Sequence, residues 1–259
     1  MLPLIDWPLE QRQRITGVLT DIDDTLTTEG RITPDALKAL HDLRDAGLTV
    51  IPITGRPIGW SEPFAKSWPV LSIVAENGSA AWIENGKRKI YQQDEATRNA
   101  NYERLQTVAT RVLYEVPGAT LAQDSPDRET DIAIDHSEFT HLSQDLIDKA
   151  LNIMREQGLT ATVSSIHINA WIGAHDKWNG AKWIVRELLG RELESELHRW
   201  VYIGDSTNDQ LMFQHFTRSV GVANITRFLP QLEHKPRYIA RSERGAGFAE
   251  LAKALLQKP

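Results

Sequence analysis

The chain has 259 residues, 41% apolar and 25% charged, enough for a buried core in one large or two modest domains. Its net charge of -6 disfavours a bulk nucleic-acid binder, which needs an excess of Lys and Arg, and the absence of cysteine excludes disulfides, thiolate-bound zinc and thiol catalysis. No stretch approaches the roughly 20 apolar residues of a membrane span, and the start carries Asp6, Trp7 and two prolines, so neither a signal peptide nor a membrane association is expected and the cytoplasm is the expected location.

Apolar runs at 15–22, 48–53 and 71–75 are near-continuous rather than alternating, which predicts strands buried on both faces. Between the first two, Thr33 as cap, Pro34 in the first turn, the Leu37, Leu40 and Leu43 stripe and Gly47 as stop predict a helix, hence a parallel βαβ unit. Asn85-Gly86 predicts a hairpin between 81–83 and 90–91. A helix at 94–115, broken by Pro117-Gly118, strands at 120–123 and 130–135, a helix at 141–157 ending at Gly158, and strands at 161–164 and 167–172 form an α+β unit of their own. The first pattern then returns: a helix at 179–189, a strand at 200–203 ending in Gly204-Asp205, a helix at 209–216, strands at 219–222 and 238–240, and a last helix from 247. The simplest account is an α/β fold with a doubly wound, mostly parallel sheet at 1–91 and 173–259, interrupted by an inserted α+β domain at 92–172.

Asp21, Asp23 and Asp24 put three carboxylates within four residues at the end of the first strand. Such crowding is costly because like charges raise each other's pKa, and a divalent cation removes the cost; oxygen ligands suit magnesium. In an open α/β sheet, ligands bind beyond the carboxyl ends of the strands. At that same edge the second strand ends in Thr54-Gly55-Arg56, where a hydroxyl and a glycine N–H can hold a phosphate oxygen. The strand at 200–203 supplies Asp205 and Asp209, and Lys177 stands before the returning helix.

In combination these segments resemble the haloacid dehalogenase superfamily of phosphohydrolases. Asp21-Ile-Asp23-Asp-Thr25-Leu resembles its first motif, Ile53-Thr54-Gly55-Arg56 the second, Lys177 the third and Gly204-Asp205-Ser-Thr-Asn208-Asp209 the fourth. The resemblance implies a Rossmann-like core and a C2 cap at 92–172, whose αββαββ order resembles the B type of sugar-phosphate phosphatases. The run from Lys177 to Ile184 resembles mannosyl-3-phosphoglycerate phosphatases, although Trp178 replaces the glycine that commonly follows the lysine, which leaves Lys182 as an alternative. It further implies a magnesium-dependent phosphatase acting through an aspartyl phosphate. Asp21 is the implied nucleophile and Asp23 the general acid and base. Asp21, the Asp23 carbonyl, Asp205 and Asp209 are the implied Mg2+ site; Thr54, Gly55, Lys177 and Asn208 are the implied phosphate site.

The expected partner is a small phosphorylated metabolite, a sugar or sugar derivative, turned over by a monomer or small homo-oligomer. Arg128 and Asp131 flank one strand of the inserted unit, and His167 and Asn169 share a face of another, so these are candidate specificity residues. Arg56 either reaches the site or braces its loop, with bracing the expectation. Trp60 and Trp171 are candidates to stack on a sugar face. The competing readings are a phosphosugar mutase on the same core, a non-catalytic sugar-phosphate-binding module and a receiver-type signalling domain.

Overall fold

The computed structural model describes residues 1–257. β1 (Leu2–Pro3) and the short α1 (Leu9–Arg12) precede β2 (Gly17–Thr20), the first buried apolar run. A tight hairpin, β3 (Thr27–Thr28) and β4 (Arg31–Ile32), follows; its turn residues Glu29 and Gly30 have φ of 52° and 73°, the signs a two-residue I′ turn requires. α2 (Pro34–Asp45) and β5 (Thr49–Pro52) complete the expected βαβ unit, but the Thr33 side chain makes no capping bond and Pro34 alone sets the first turn. α3 (Ile58–Ser67) is absent from the sequence expectation. Pro57 precedes it and Pro63 lies inside it, so proline masked its pattern.

β6 (Ile73–Ala75) is shorter than the expected run, because Leu71 is exposed; β7 (Ala80–Ile83) and β8 (Arg88–Tyr91) form the expected hairpin. Then come α4 (Glu95–Glu115), β9 (Thr120–Leu121), β10 (Asp131–Asp135), α5 (Gln144–Glu156), β11 (Thr160–Val163) and β12 (His167–Trp171). α6 (Lys177–Leu189) begins two residues earlier than expected, since the Asp176 carboxylate caps it by accepting from Asn179 N at 2.7 Å. β13 (Trp200–Gly204), α7 (Gln210–His215), β14 (Ser219–Gly221), β15 (Tyr238–Ile239) and α8 (Arg244–Leu255) finish the chain, α8 starting three residues before the expected 247.

The central sheet runs β1-β15-β14-β13-β2-β5, every pair parallel, and a parallel bridge from Ile53 to Val74 carries it on to β6 and the antiparallel β7 and β8. The α/β, mostly parallel expectation is met. Alternate residues feed opposite layers: Val18, Val50, Val201 and Ile203 pack with Leu40, Leu43 and Phe248, while Leu19, Ile51, Trp200 and Tyr202 pack with Trp178 and Ile184. That two-sided burial is why the runs lack polar alternation. The other sheet runs β11-β12-β10-β9, all antiparallel, and closes a separate apolar core with α4 and α5 around Leu105, Val112, Ile134, Met154 and Ile168. No helix among the described residues is long and apolar enough to cross a membrane.

Candidate active site

Parallel strands present their carboxyl ends on one edge, and four of them deliver polar side chains there. β2 ends in Asp21, β5 leads to Thr54, β6 to Glu76 and β13 to Asp205, all buried. Lys177, the first residue of α6, reaches under them: its Nζ lies 2.5 Å from Asp21 Oδ1 and 2.6 Å from Asp209 Oδ1. Burial works against the charged ammonium, but Asp209 and Asp21 outweigh it and hold its pKa above the ordinary lysine value. Lys182 points elsewhere, 3.6 Å from Glu194 and over the Trp178 ring, so Lys177 is the lysine at this edge.

Asp209 accepts at every available position. Oδ1 takes Lys177 and the Tyr202 hydroxyl, and Oδ2 takes the backbone N–H groups of Asp205 at 2.9 Å and Ser206 at 3.1 Å. A carboxylate offers about four lone-pair positions, so this side chain braces Lys177 and the turn bearing Asp205. Asp205 differs. Its Oδ2 accepts from Asn224 Nδ2 at 3.2 Å and faces Arg227 at 3.4 Å, while Oδ1 is buried with no hydrogen-bond partner. Carboxylate oxygens of Asp21, Asp205 and Asp209 lie within 4.8 Å of one another. Burial first, then the neighbouring acids, pushes the Asp21 carboxyl up to about 8 against the pull of Lys177, and pushes Asp205 well above the carboxylate range. An orphaned buried oxygen among mutually repelling carboxylates is the donor set a hard divalent cation satisfies.

The upper wall comes from the second sheet. Arg56, from the loop after β5, lines the site and also braces it, as expected, by binding three carboxylates. Its Nε lies 3.0 Å from Asp23 Oδ1, Nη1 3.0 Å from Asp124 Oδ2 and Nη2 2.8 Å from Glu138 Oε1. Glu138 also pairs with His167 Nε2 at 2.8 Å. The space enclosed by Asp21, Asp23, Arg56, His167, Asn169 and Asn208 is about 10 Å3, room for one water-sized sphere, so a substrate requires displacement of the upper wall.

Asn169 reaches the Gly55 carbonyl at 3.4 Å, and the Asn208 amide oxygen accepts from Ser206 Oγ at 2.8 Å. The Thr54 hydroxyl accepts from Arg56 N at 3.0 Å. Arg128 departs from the expectation of a solvent- or substrate-facing residue. It is buried, with Nη1 on Asp131 at 2.7 Å and on the Gly55 carbonyl at 3.0 Å and its other nitrogens on Asp124, so its donors are spent on joining the two sheets. Nor do the tryptophans offer a stacking face: Trp171 is buried and donates to His175 O at 2.7 Å, and Trp60 packs on Phe64 at 4.6 Å beside Arg56.

Sequence reading missed several groups. Glu76 and Asn77 follow β6 with φ of 47° and 54°, and the buried Glu76 carboxylate accepts from Ile58 N at 3.0 Å, Thr130 N at 2.6 Å, Glu129 N and the Thr130 hydroxyl. Next to them Gly78 lies against α6, where a Cβ would collide with the Asp176 carbonyl. The signal was there, in an Asn-Gly pair at the end of a third core strand. Asn224 sits likewise beyond β14, where its amide bonds Asp24 O at 3.1 Å as well as Asp205. Asp124 and Glu138 had no local signal.

A family model described as haloacid dehalogenase-like hydrolase matches residues 18–125. A phosphoglycolate phosphatase of Methanothermobacter thermautotrophicus is 24% identical over 258 residues, covering 93% of this chain and 98% of that protein. Among solved structures, a Thermoplasma acidophilum protein superposes with a TM-score of 0.71 at 18% identity, covering 93% of this chain and 98% of the other. The sucrose-phosphatase of Synechocystis, solved with sucrose and phosphate, gives 0.68 at 16% identity, covering 94% and 98%.

Proposed function

We propose that this chain is a haloacid dehalogenase-like hydrolase, the family whose model matches residues 18–125, and a phosphatase for a small phosphate monoester, a phosphorylated sugar or sugar derivative, working through an aspartyl phosphate with Mg2+. The observation that carries the reading is the Asp21–Lys177–Asp209 cluster beside Asp205, whose Oδ1 has no partner. Two of the three similar proteins named above act, by their names, on small phosphate monoesters. Residues 92–172 serve as the cap that covers the site and excludes water.

In this mechanism the Asp21 carboxylate attacks phosphorus in line, and the ester oxygen leaves. Asp23, two residues on and facing the same space, gives that oxygen its proton and later takes one from the water that cleaves the aspartyl phosphate. Lys177, the Thr54 hydroxyl and the Gly55 N–H hold the phosphoryl oxygens, and fixed positive groups of this kind supply most of the catalysis in phosphoryl transfer. Asn208, which lines the same space, joins them. Asp21, the Asp23 carbonyl and Asp205 would hold magnesium, with Asp209 alongside as the brace of Lys177. The cation supplies charge neutralisation for the phosphoryl group and the acids together.

The test is a screen of phosphate esters with and without Mg2+, comparing wild type with Asp21→Asn and Asp23→Asn. Asp21→Asn abolishes turnover in a folded protein, and Asp23→Asn lowers it by about two to four orders of magnitude. Near-normal phosphate release by Asp21→Asn removes the assignment.

A further inference from the structure

Arg56 holds three carboxylates, and they are not equivalent. Asp23 lies on the loop after β2, 17% exposed, and Asp124 is 8% exposed and pinned by Arg128 as well. Glu138 is 23% exposed, the most accessible of the three, and sits on the turn after β10. That turn is held independently of Arg56. The Asp135 carboxylate accepts from the N–H groups of Ser137, Glu138, Phe139 and Thr140 at 2.9–3.1 Å, so the Glu138 side chain can swing away while its backbone stays put.

The Glu138 carboxylate also occupies a specific place. Arg56 Nη2 bonds one of its oxygens at 2.8 Å, and the other accepts from His167 Nε2 at 2.8 Å and Arg56 Nη1 at 3.3 Å. Burial of the carboxyl raises its pKa, but these partners outweigh that and lower it to about 2. Arg56 and His167 both line the small space above Asp21 and Asp23, into which a phosphate ester must fit. Together they form a cradle for a carboxylate, filled here by the protein's own side chain.

We propose that Glu138 is an internal stand-in for a substrate carboxylate, and that the substrate is a phosphate monoester carrying a carboxylate, which displaces Glu138 from Arg56 and His167. The proposal rests on the phosphatase reading above and deepens it to a substrate class. The exchange conserves charge. One carboxylate leaves for solvent, another takes its two donors, and Arg56 keeps Asp124 throughout. A neutral hydroxyl in the same place gives up the charge-assisted bonds, which are about twice as strong as neutral ones.

Matched esters test this: 3-phosphoglycerate against glycerol 3-phosphate, and 6-phosphogluconate against glucitol 6-phosphate, with p-nitrophenyl phosphate as a reference. Wild type favours the acid in at least one pair by roughly tenfold to hundredfold in kcat/KM, the size of one or two charge-assisted bonds. His167→Gln lowers that ratio. Glu138→Gln, a weaker internal competitor, lowers KM for the favoured acid, an effect that a purely structural glutamate would not produce. Ratios near one in both pairs, with p-nitrophenyl phosphate still hydrolysed, overturn the carboxylate cradle and leave the phosphatase reading standing. A favoured acid whose ratio His167→Gln and Glu138→Gln both leave unchanged overturns it too. No Mg2+-dependent release from any ester overturns both.

Discussion

Asp205→Asn separates the stability of the site from its affinity for a cation. In the wild-type protein the Asp205 Oδ1 is buried without a partner, while Oδ2 has Asn224 at 3.2 Å and a half-exposed Arg227 at 3.4 Å. An asparagine keeps an oxygen for Asn224 and turns an amide N–H2 toward Asp21, so a repulsive contact becomes an attractive one. Removing an unsatisfied buried acceptor returns about 1–3 kcal/mol, which for a protein of this size raises Tm in chelator by a few degrees. The wild type recovers the same cost by binding a cation: Mg2+ at a hundredfold its Kd adds about 2.7 kcal/mol, or roughly 5–10 °C. Thermal melts of both proteins, in chelator and in saturating Mg2+, therefore give the variant the higher melting temperature without the ion and nearly no shift with it. A variant that melts below wild type in chelator and still shifts fully with Mg2+ refutes the assignment of Asp205 as the open ligand.

Lys177→Met leaves Asp21 and Asp209 buried with no cation between them, and breaking a buried pair costs about 3–5 kcal/mol, measurable by urea unfolding in chelator. Glu76→Gln puts an amide N–H2 among four donors that need an acceptor, so it loses about 2–4 kcal/mol in the same assay. His175 has both ring nitrogens buried without partners, and burial lowers its pKa from 6.5 to about 4. The unfolded chain takes up this proton below pH 6.5 and the folded chain only near 4, so the stability is present above 6.5 and is lost as pH falls, about 2 kcal/mol by pH 5. His175→Phe, which can keep the stack on Trp171, removes that part of the acid sensitivity in pH-dependent urea titrations.

The acidic edge was legible because its residues are close in sequence to strand ends. Asp21 and Asp205 follow apolar runs that announce buried strands, and in a parallel sheet the ends of such runs must meet. Lys177 was legible through its place before a helix; only the packed structure distinguishes it from Lys182. What was hidden depends on contacts between distant segments. Arg56 reads as one more loop arginine until Asp124 and Glu138, 68 and 82 residues away, are brought to it. The bond from Arg128 to the Gly55 carbonyl, 73 residues away, was hidden for the same reason. α3 was lost to Pro63, a residue whose local meaning the tertiary packing overrides.

The chain leaves the central layer after Tyr91 and comes back toward it through α6 after β12, and Gln93 Nε2 donates to the Ile172 carbonyl at 3.1 Å. A segment whose two ends touch in this way is a cassette. Its bonds to the core, Thr130 N to the Glu76 carboxylate at 2.6 Å and Arg128 to the Gly55 carbonyl at 3.0 Å among them, are what any replacement has to reproduce. If residues 92–172 act as the proposed cap, grafting a relative's counterpart that keeps these bonds onto this core changes which phosphate ester is turned over, and a substrate screen of the chimera reads the change.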